Sequence, residues 1–168
     1  MTTKRFLGIV LILAVSALSG CGKGGGDNGG GAPPAQPTRA DVFIAFDQPV
    51  TNLAGLDLKL DNTAGATFDN TTQSIAAINA AEGSLSLAVG NFDAATNNTR
   101  IVLINGNAAG INTGTAPILK ITYAIADGAG SPTFSISSQA TFSAIAPDNG
   151  PTTPPVTAAN MVVTVTYQ

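Results

Sequence analysis

Apolar and polar positions alternate through most of the chain after residue 40. The alternation is clearest in Leu56-Asp57-Leu58-Lys59-Leu60-Asp61, where three leucines take one side and three charges the other. Successive side chains of a strand point to opposite faces, so this stretch predicts a strand with one buried face. Asp41 to Phe46 repeats the pattern through Val42, Ile44 and Phe46, and Ser84 to Val89 through Leu85, Leu87 and Val89. Ile118 to Ile125 aligns Leu119, Ile121, Tyr123 and Ile125. Met161 to Tyr167 sets Met161, Val163, Val165 and Tyr167 against Thr164 and Thr166. Arg100 to Ile104 is a short apolar run suited to a central strand. Thr133 to Ser138 and Ala140 to Ile145 add two further segments, with Phe134, Ile136 and Phe142.

Turn signals separate these runs: Asp61-Asn62, Asp69-Asn70, Asn97-Asn98, Asn105-Gly106, Asp127-Gly128 and Asp148-Asn149-Gly150. Pro151, Pro154 and Pro155 predict a loop before the last strand, since proline cannot donate to a central ladder. The stretch QSIAAINAAEG, Gln73 to Gly83, has helical composition and predicts one or two helical turns. About eight or nine short strands at this spacing predict an all-β domain, a β-sandwich or jelly roll. Its extent is residues 41–168, enough chain for one core.

The first forty residues are different. Lys4 and Arg5 precede an apolar run from Phe6 to Leu18, the length of a signal-peptide core and short of a membrane span. The run ends in Leu18-Ser19-Gly20-Cys21, which resembles a bacterial lipobox. The resemblance implies a leader over residues 1–20, removed on export, and diacylation of the Cys21 thiol. Two or three acyl chains, at about 0.8 kcal/mol per buried CH₂, hold a protein on a bilayer where one does so marginally. Gly22 stands where Asp resembles an inner-membrane retention signal in many two-membrane bacteria, so the outer membrane is the expected location where there is one. Gly22 to Arg39, GKGGGDNGGGAPPAQPTR, has no core-forming residue and predicts a linker over residues 21–40. A chain of this kind spans roughly 20–25 Å.

Composition narrows the chemistry. With the leader removed, Lys23, Arg39, Lys59, Arg100 and Lys120 face ten acidic residues. No basic stripe exists, which excludes nucleic acid as the expected partner. Histidine is absent, which removes the commonest general base and metal ligand. No Ser-His-Asp arrangement or ordinary zinc site can be built, and no cofactor is expected. Asp57, Asp61, Asp69, Glu82 and Asp93 fall in surface or turn patterns and make no glycosidase pair. The Asp61, Asn62, Asp69 and Asn70 oxygens lack EF-hand spacing for calcium. With Cys21 acylated, the mature domain has no disulfide.

Three stretches resemble a cohesin domain, the β-sandwich that binds dockerin modules. The first is Asn52-Leu53-Ala54-Gly55-Leu56-Asp57-Leu58-Lys59-Leu60-Asp61. The second runs from Thr99 to Ile104, then Gly110-Ile111-Asn112-Thr113-Gly114 and Ile118-Leu119-Lys120-Ile121-Thr122-Tyr123. The third is Thr141-Phe142-Ser143 with Asn160 to Val165. The opening strand is shorter than the family's, and Leu53-Ala54-Gly55 replaces the polar residues that type I members use for dockerin. The resemblance implies a non-catalytic recognition module with a dockerin-like partner in an extracytoplasmic assembly. The polar side of the leucine strand, with Asp57, Lys59 and Asp61, is the expected partner-binding face. The alternative is a carbohydrate-binding module, for which Phe92 and Tyr167 are the aromatics expected to be exposed. A structural envelope lipoprotein is the third reading.

Overall fold

The structure is a computed structural model that describes residues 34–68, 74–105, 110–137, 143–146 and 150–168. The leader, Cys21 and the linker as far as Pro33 lie outside the described residues, as do Asp69, Asn70 and Phe142. The described residues form twelve strand segments. They are β1 (Arg39–Phe46), β2 (Val50–Leu53), β3 (Gly55–Asn62), β4 (Ala66–Thr67), β5 (Ile75–Ala77) and β6 (Ser86–Asp93). The rest are β7 (Asn98–Ile104), β8 (Ile111–Thr113), β9 (Leu119–Ile125), β10 (Phe134–Ile136), β11 (Ser143–Ile145) and β12 (Met161–Tyr167).

The fold is all-β, and every pairing among these strands is antiparallel. One five-stranded sheet runs β12-β1-β9-β4, with β5 also on β9; a second runs β10-β3-β7-β6, with β11 also on β3. A two-stranded ribbon, β2-β8, stands apart from both. The expected eight or nine strands become twelve because β2, β4, β5 and β8 are segments of two to four residues. Their apolar pattern is too brief to read as alternation.

Alternation decides the core. Val42, Ile44 and Phe46 of β1, Leu56, Leu58 and Leu60 of β3, Ile101 and Leu103 of β7, and Ile121 and Tyr123 of β9 are at most 2 % exposed. They belong to a single apolar cluster shared by the two sheets, a sandwich-like arrangement. Each such side chain contributes about 1.5–3 kcal/mol by leaving water. A polar contact crosses this core: Tyr123 Oη on β9 donates to Thr99 Oγ1 on β7 at 2.8 Å. Its ring packs on Phe134, with centroids 4.7 Å apart, and on Phe68 at 5.9 Å.

The linker's end is tied into the fold. Thr38 N–H donates to the Gln168 carbonyl at 2.8 Å, and Gly128 N–H donates to Gln36 Oε1 at 3.1 Å. The first strand therefore begins at Arg39, so the last two residues of the expected linker belong to β1. The stretch with helical composition also resolves differently. Ile75–Ala77 pairs with β9, and only Asn79–Ala81 forms a 3-10 turn. Alanine favours helix weakly, and the open donors and acceptors of β9 outweigh that preference.

Two glycines permit close approaches that a side chain would block. A Cβ on Gly110, just before β8, would lie 2.4 Å from the Asn52 backbone of β2. Gly65 has φ +97°, and its Cβ would lie 2.3 Å from the Ala129 methyl.

Candidate functional site

The outward side chains of β3 are Asp57, Lys59 and Asp61, since Leu56, Leu58 and Leu60 fill the core. All three are half-buried on one open sheet face. Sequence reasoning assembles this row correctly from a single strand. It misses Arg100, which reaches the row only through the register of β7 against β3.

In that register Lys59 stands directly opposite Arg100. Two cations so placed repel. Arg100 relieves the clash by turning to Asp57, with Nε 3.1 Å from Oδ1 and Nη2 2.6 Å from Oδ2. The side chains of this pair are 53 % and 21 % exposed, so solvent screens it and it adds little to stability. Its effect is on charge placement: among the described residues, Lys59 and Asp61 make no ion pair. They remain available at the surface.

Two apolar residues of β7 continue the face. Val102 is half-buried opposite Asp57, and Ile104 is 49 % exposed. Ile104 is left uncovered because its neighbour across the ladder is Gly55, which has no side chain. At the other end of the row lies the β6–β7 turn, braced by Asp93. Its carboxylate accepts from the Ala95 N–H at 2.9 Å and the Thr96 hydroxyl at 2.7 Å. The Thr96 and Ala95 hydrogen bonds hold the Asp93 carboxyl below the usual range, and the nearby Lys59 charge adds to them. Asn97 takes the left-handed conformation of this turn, with φ 49°.

Comparison with protein-family models, with curated proteins and with solved structures returns no match.

Of the two aromatics expected to be exposed, Phe92 is turned inward and Tyr167 is exposed. Phe92 shares the inward side of β6 with Gly90, stands opposite the buried Thr99, and packs half-buried against the core. This corrects its assignment as a stacking platform: strand parity turns its ring inward. Tyr167 is 36 % exposed, and its hydroxyl donates to the Pro132 carbonyl, which ties β12 to the segment before β10. Burial pushes its phenol above the usual range. Phe43 faces outward, half-buried on the opposite side of β1 from Val42 and Ile44. It is flanked across the ladders by Thr164 and Lys120.

A second polar cluster occupies that other sheet face. The Asp41 side chain is 5 % exposed and is fully engaged. It accepts from Arg39, from Thr122 Oγ1 at 2.9 Å and from Gln168 Nε2 at 3.1 Å, and Lys120 Nζ lies 2.9 Å away. Burial pushes its carboxyl upward, but the bonds to Lys120, Thr122 and Arg39 outweigh that and hold it below the usual carboxylate range. Beside it, Thr38, Arg39, Ser74, Thr122, Tyr123 and Ala124 line a pocket of about 330 Å³. Arg39 and Thr122 are committed to Asp41, so this cluster ties β1, β9 and the chain's last residue together. In the region weighed for calcium, Asn62 Nδ2 donates to the Thr63 and Ala66 carbonyls at 3.0 and 3.1 Å. Among the described residues no three His, Cys, Asp or Glu side chains gather in a metal-binding group.

Proposed function

We propose that this chain is a non-catalytic recognition module, held at the cell envelope by lipid on Cys21, that binds a protein partner through the outer face of β3 and β7. The observation that carries the reading is the composition of that face. Uncommitted Lys59 and Asp61 lie beside the Asp57–Arg100 pair and the exposed Ile104. Protein interfaces combine an apolar centre with charges that set register and exclude wrong partners. The resemblance to cohesin domains points to a dockerin-like partner, and the two-sheet antiparallel fold is compatible with it. A sugar platform needs a row of exposed rings; Phe43 is half-buried, and Tyr167, though exposed, is tethered through its hydroxyl to Pro132.

The test uses the full chain as bait in the extracytoplasmic fraction of the source organism, with a glycan array in parallel. Lys59→Glu combined with Ile104→Asp is expected to weaken capture of the partner about 30-fold or more, as two interface substitutions of 1–2 kcal/mol each do. Its melting temperature is expected to stay within a few degrees of the parent, since both side chains face solvent. In cells, Cys21→Ser is expected to abolish acyl labelling and detergent-phase partitioning. Retention of polysaccharide with no protein partner rejects the reading of the face; unchanged labelling rejects the anchor.

A further inference from the structure

We infer that the outer edge of β12 is a strand-addition surface through which two copies of this chain pair across a two-fold axis. The inference begins with the β1–β12 ladder, which is unbroken from Ala40↔Tyr167 to Phe46↔Met161. Beyond its two ends, Gln168 and Arg39 exchange backbone hydrogen bonds at 2.9 and 3.2 Å, and Asp47 N–H donates to the Asn160 carbonyl at 2.8 Å. Hydrogen-bonded pairs alternate along an antiparallel ladder. The even-numbered residues Val162, Thr164 and Thr166 therefore turn their amides toward β1. Val163, Val165 and Tyr167 turn theirs outward.

Among the described residues nothing pairs with those outward groups, and β12 is the end strand of its sheet. Met161 differs, because its N–H is already given to the Ala158 carbonyl. A free edge of this length is a template for another strand, and proteins blunt such edges with charge, proline or a bulge. The strand MVVTVTY has none of these. Of the two end strands of the other sheet, β6 has a register shift between Leu87 and Val89 and carries Asp93, and β10 is only three residues long.

The occupant that fits is a second β12. A two-fold axis through Val165 pairs Val163 with Tyr167 of the other copy and Val165 with its own equivalent. Each pair exchanges two backbone hydrogen bonds, so every outward amide is used. The same register places Thr164 opposite Thr166 on the outer face, a favourable cross-strand pair. The strand itself carries no charge that would meet its equivalent, and Asp41, opposite Thr166 on the neighbouring strand, is held by Arg39 and Lys120. The pairing leaves the β3–β7 face free and does not depend on the reading given above.

The experiment is sedimentation of the full chain in a neutral detergent over about a hundredfold range of concentration, with amide hydrogen exchange read residue by residue. The expected result is a shift from monomer to dimer, with exchange at Val163, Val165 and Tyr167 slowed about tenfold or more at the high end. Thr164→Lys with Thr166→Lys sets lysines directly opposite one another across the paired edge, so this variant is expected to stay monomeric while still showing a cooperative melting transition. Val165→Pro removes an outward N–H and is expected to stay monomeric too; should it fail to fold, the lysine variant decides. A monomer throughout overturns the inference. So does a dimer that survives the lysine substitutions, or protection of these amides only when a different protein is bound.

Discussion

Leu58→Ala is expected to cost about 3–4 kcal/mol of folding free energy. Leu58 is fully buried in the middle of β3, and its neighbour across the ladder is Ile101, also fully buried. Beyond Ile101 the next position in the row is Gly90, which has no side chain to fall into the space. Ile75 already covers that glycine, since a Cβ there would lie 2.7 Å from the Ile75 Cδ1. The cavity therefore persists, and its cost adds to roughly 2 kcal/mol of lost transfer energy. For a domain of this size the melting temperature is expected to fall by about 10–15 °C. Lys59→Ala, one residue along and on the wet face, is expected to change stability by less than about 0.5 kcal/mol. Calorimetry on both variants checks the pair. A loss below about 1 kcal/mol for Leu58→Ala contradicts a core built on the β3 leucines.

That contrast between adjacent residues is the part of the fold most legible in the sequence. Period two is a property of one strand, so Leu58 and Lys59 can be placed on opposite faces without knowing what either touches. The same parity is present in Val42-Phe43-Ile44, and it turns Phe43 outward. Phe92 is harder to place, because a turn-like Gly-Asn-Phe-Asp context hides its place on the inner side of β6. Arg100 was illegible for a different reason. Its pairing with Asp57 spans 43 residues and depends on the β3–β7 register, which no local pattern encodes. The strand at Ile75–Ala77 is likewise set by β9 and not by its own alanines.

The second large effect concerns the hydrogen bond that crosses the sandwich. Tyr123 and Thr99 are both fully buried, and each hydroxyl depends on the other. Thr99→Val keeps the shape but leaves the phenol without its acceptor, and Tyr123→Phe leaves the threonine hydroxyl without its donor. Each is expected to cost about 1–3 kcal/mol, the penalty of stranding a polar group away from water. With both removed nothing is stranded, so the double variant is expected to lose about 1–2 kcal/mol less than the sum of the singles. Burial pushes the Tyr123 phenol well above the ordinary tyrosine value, and the Thr99 contact offsets this only in part. Above about pH 10 the unfolded phenol releases a proton that the folded one keeps, so stability falls as pH rises. Below that range Tyr123 contributes no slope. Urea unfolding between about pH 9 and 11 should therefore show a decline that Tyr123→Phe reduces, with Tyr167, whose phenol is also raised, retaining part of it. An alkaline slope identical in parent and variant, or singles that add without coupling, means that the two sheets are not joined through this pair.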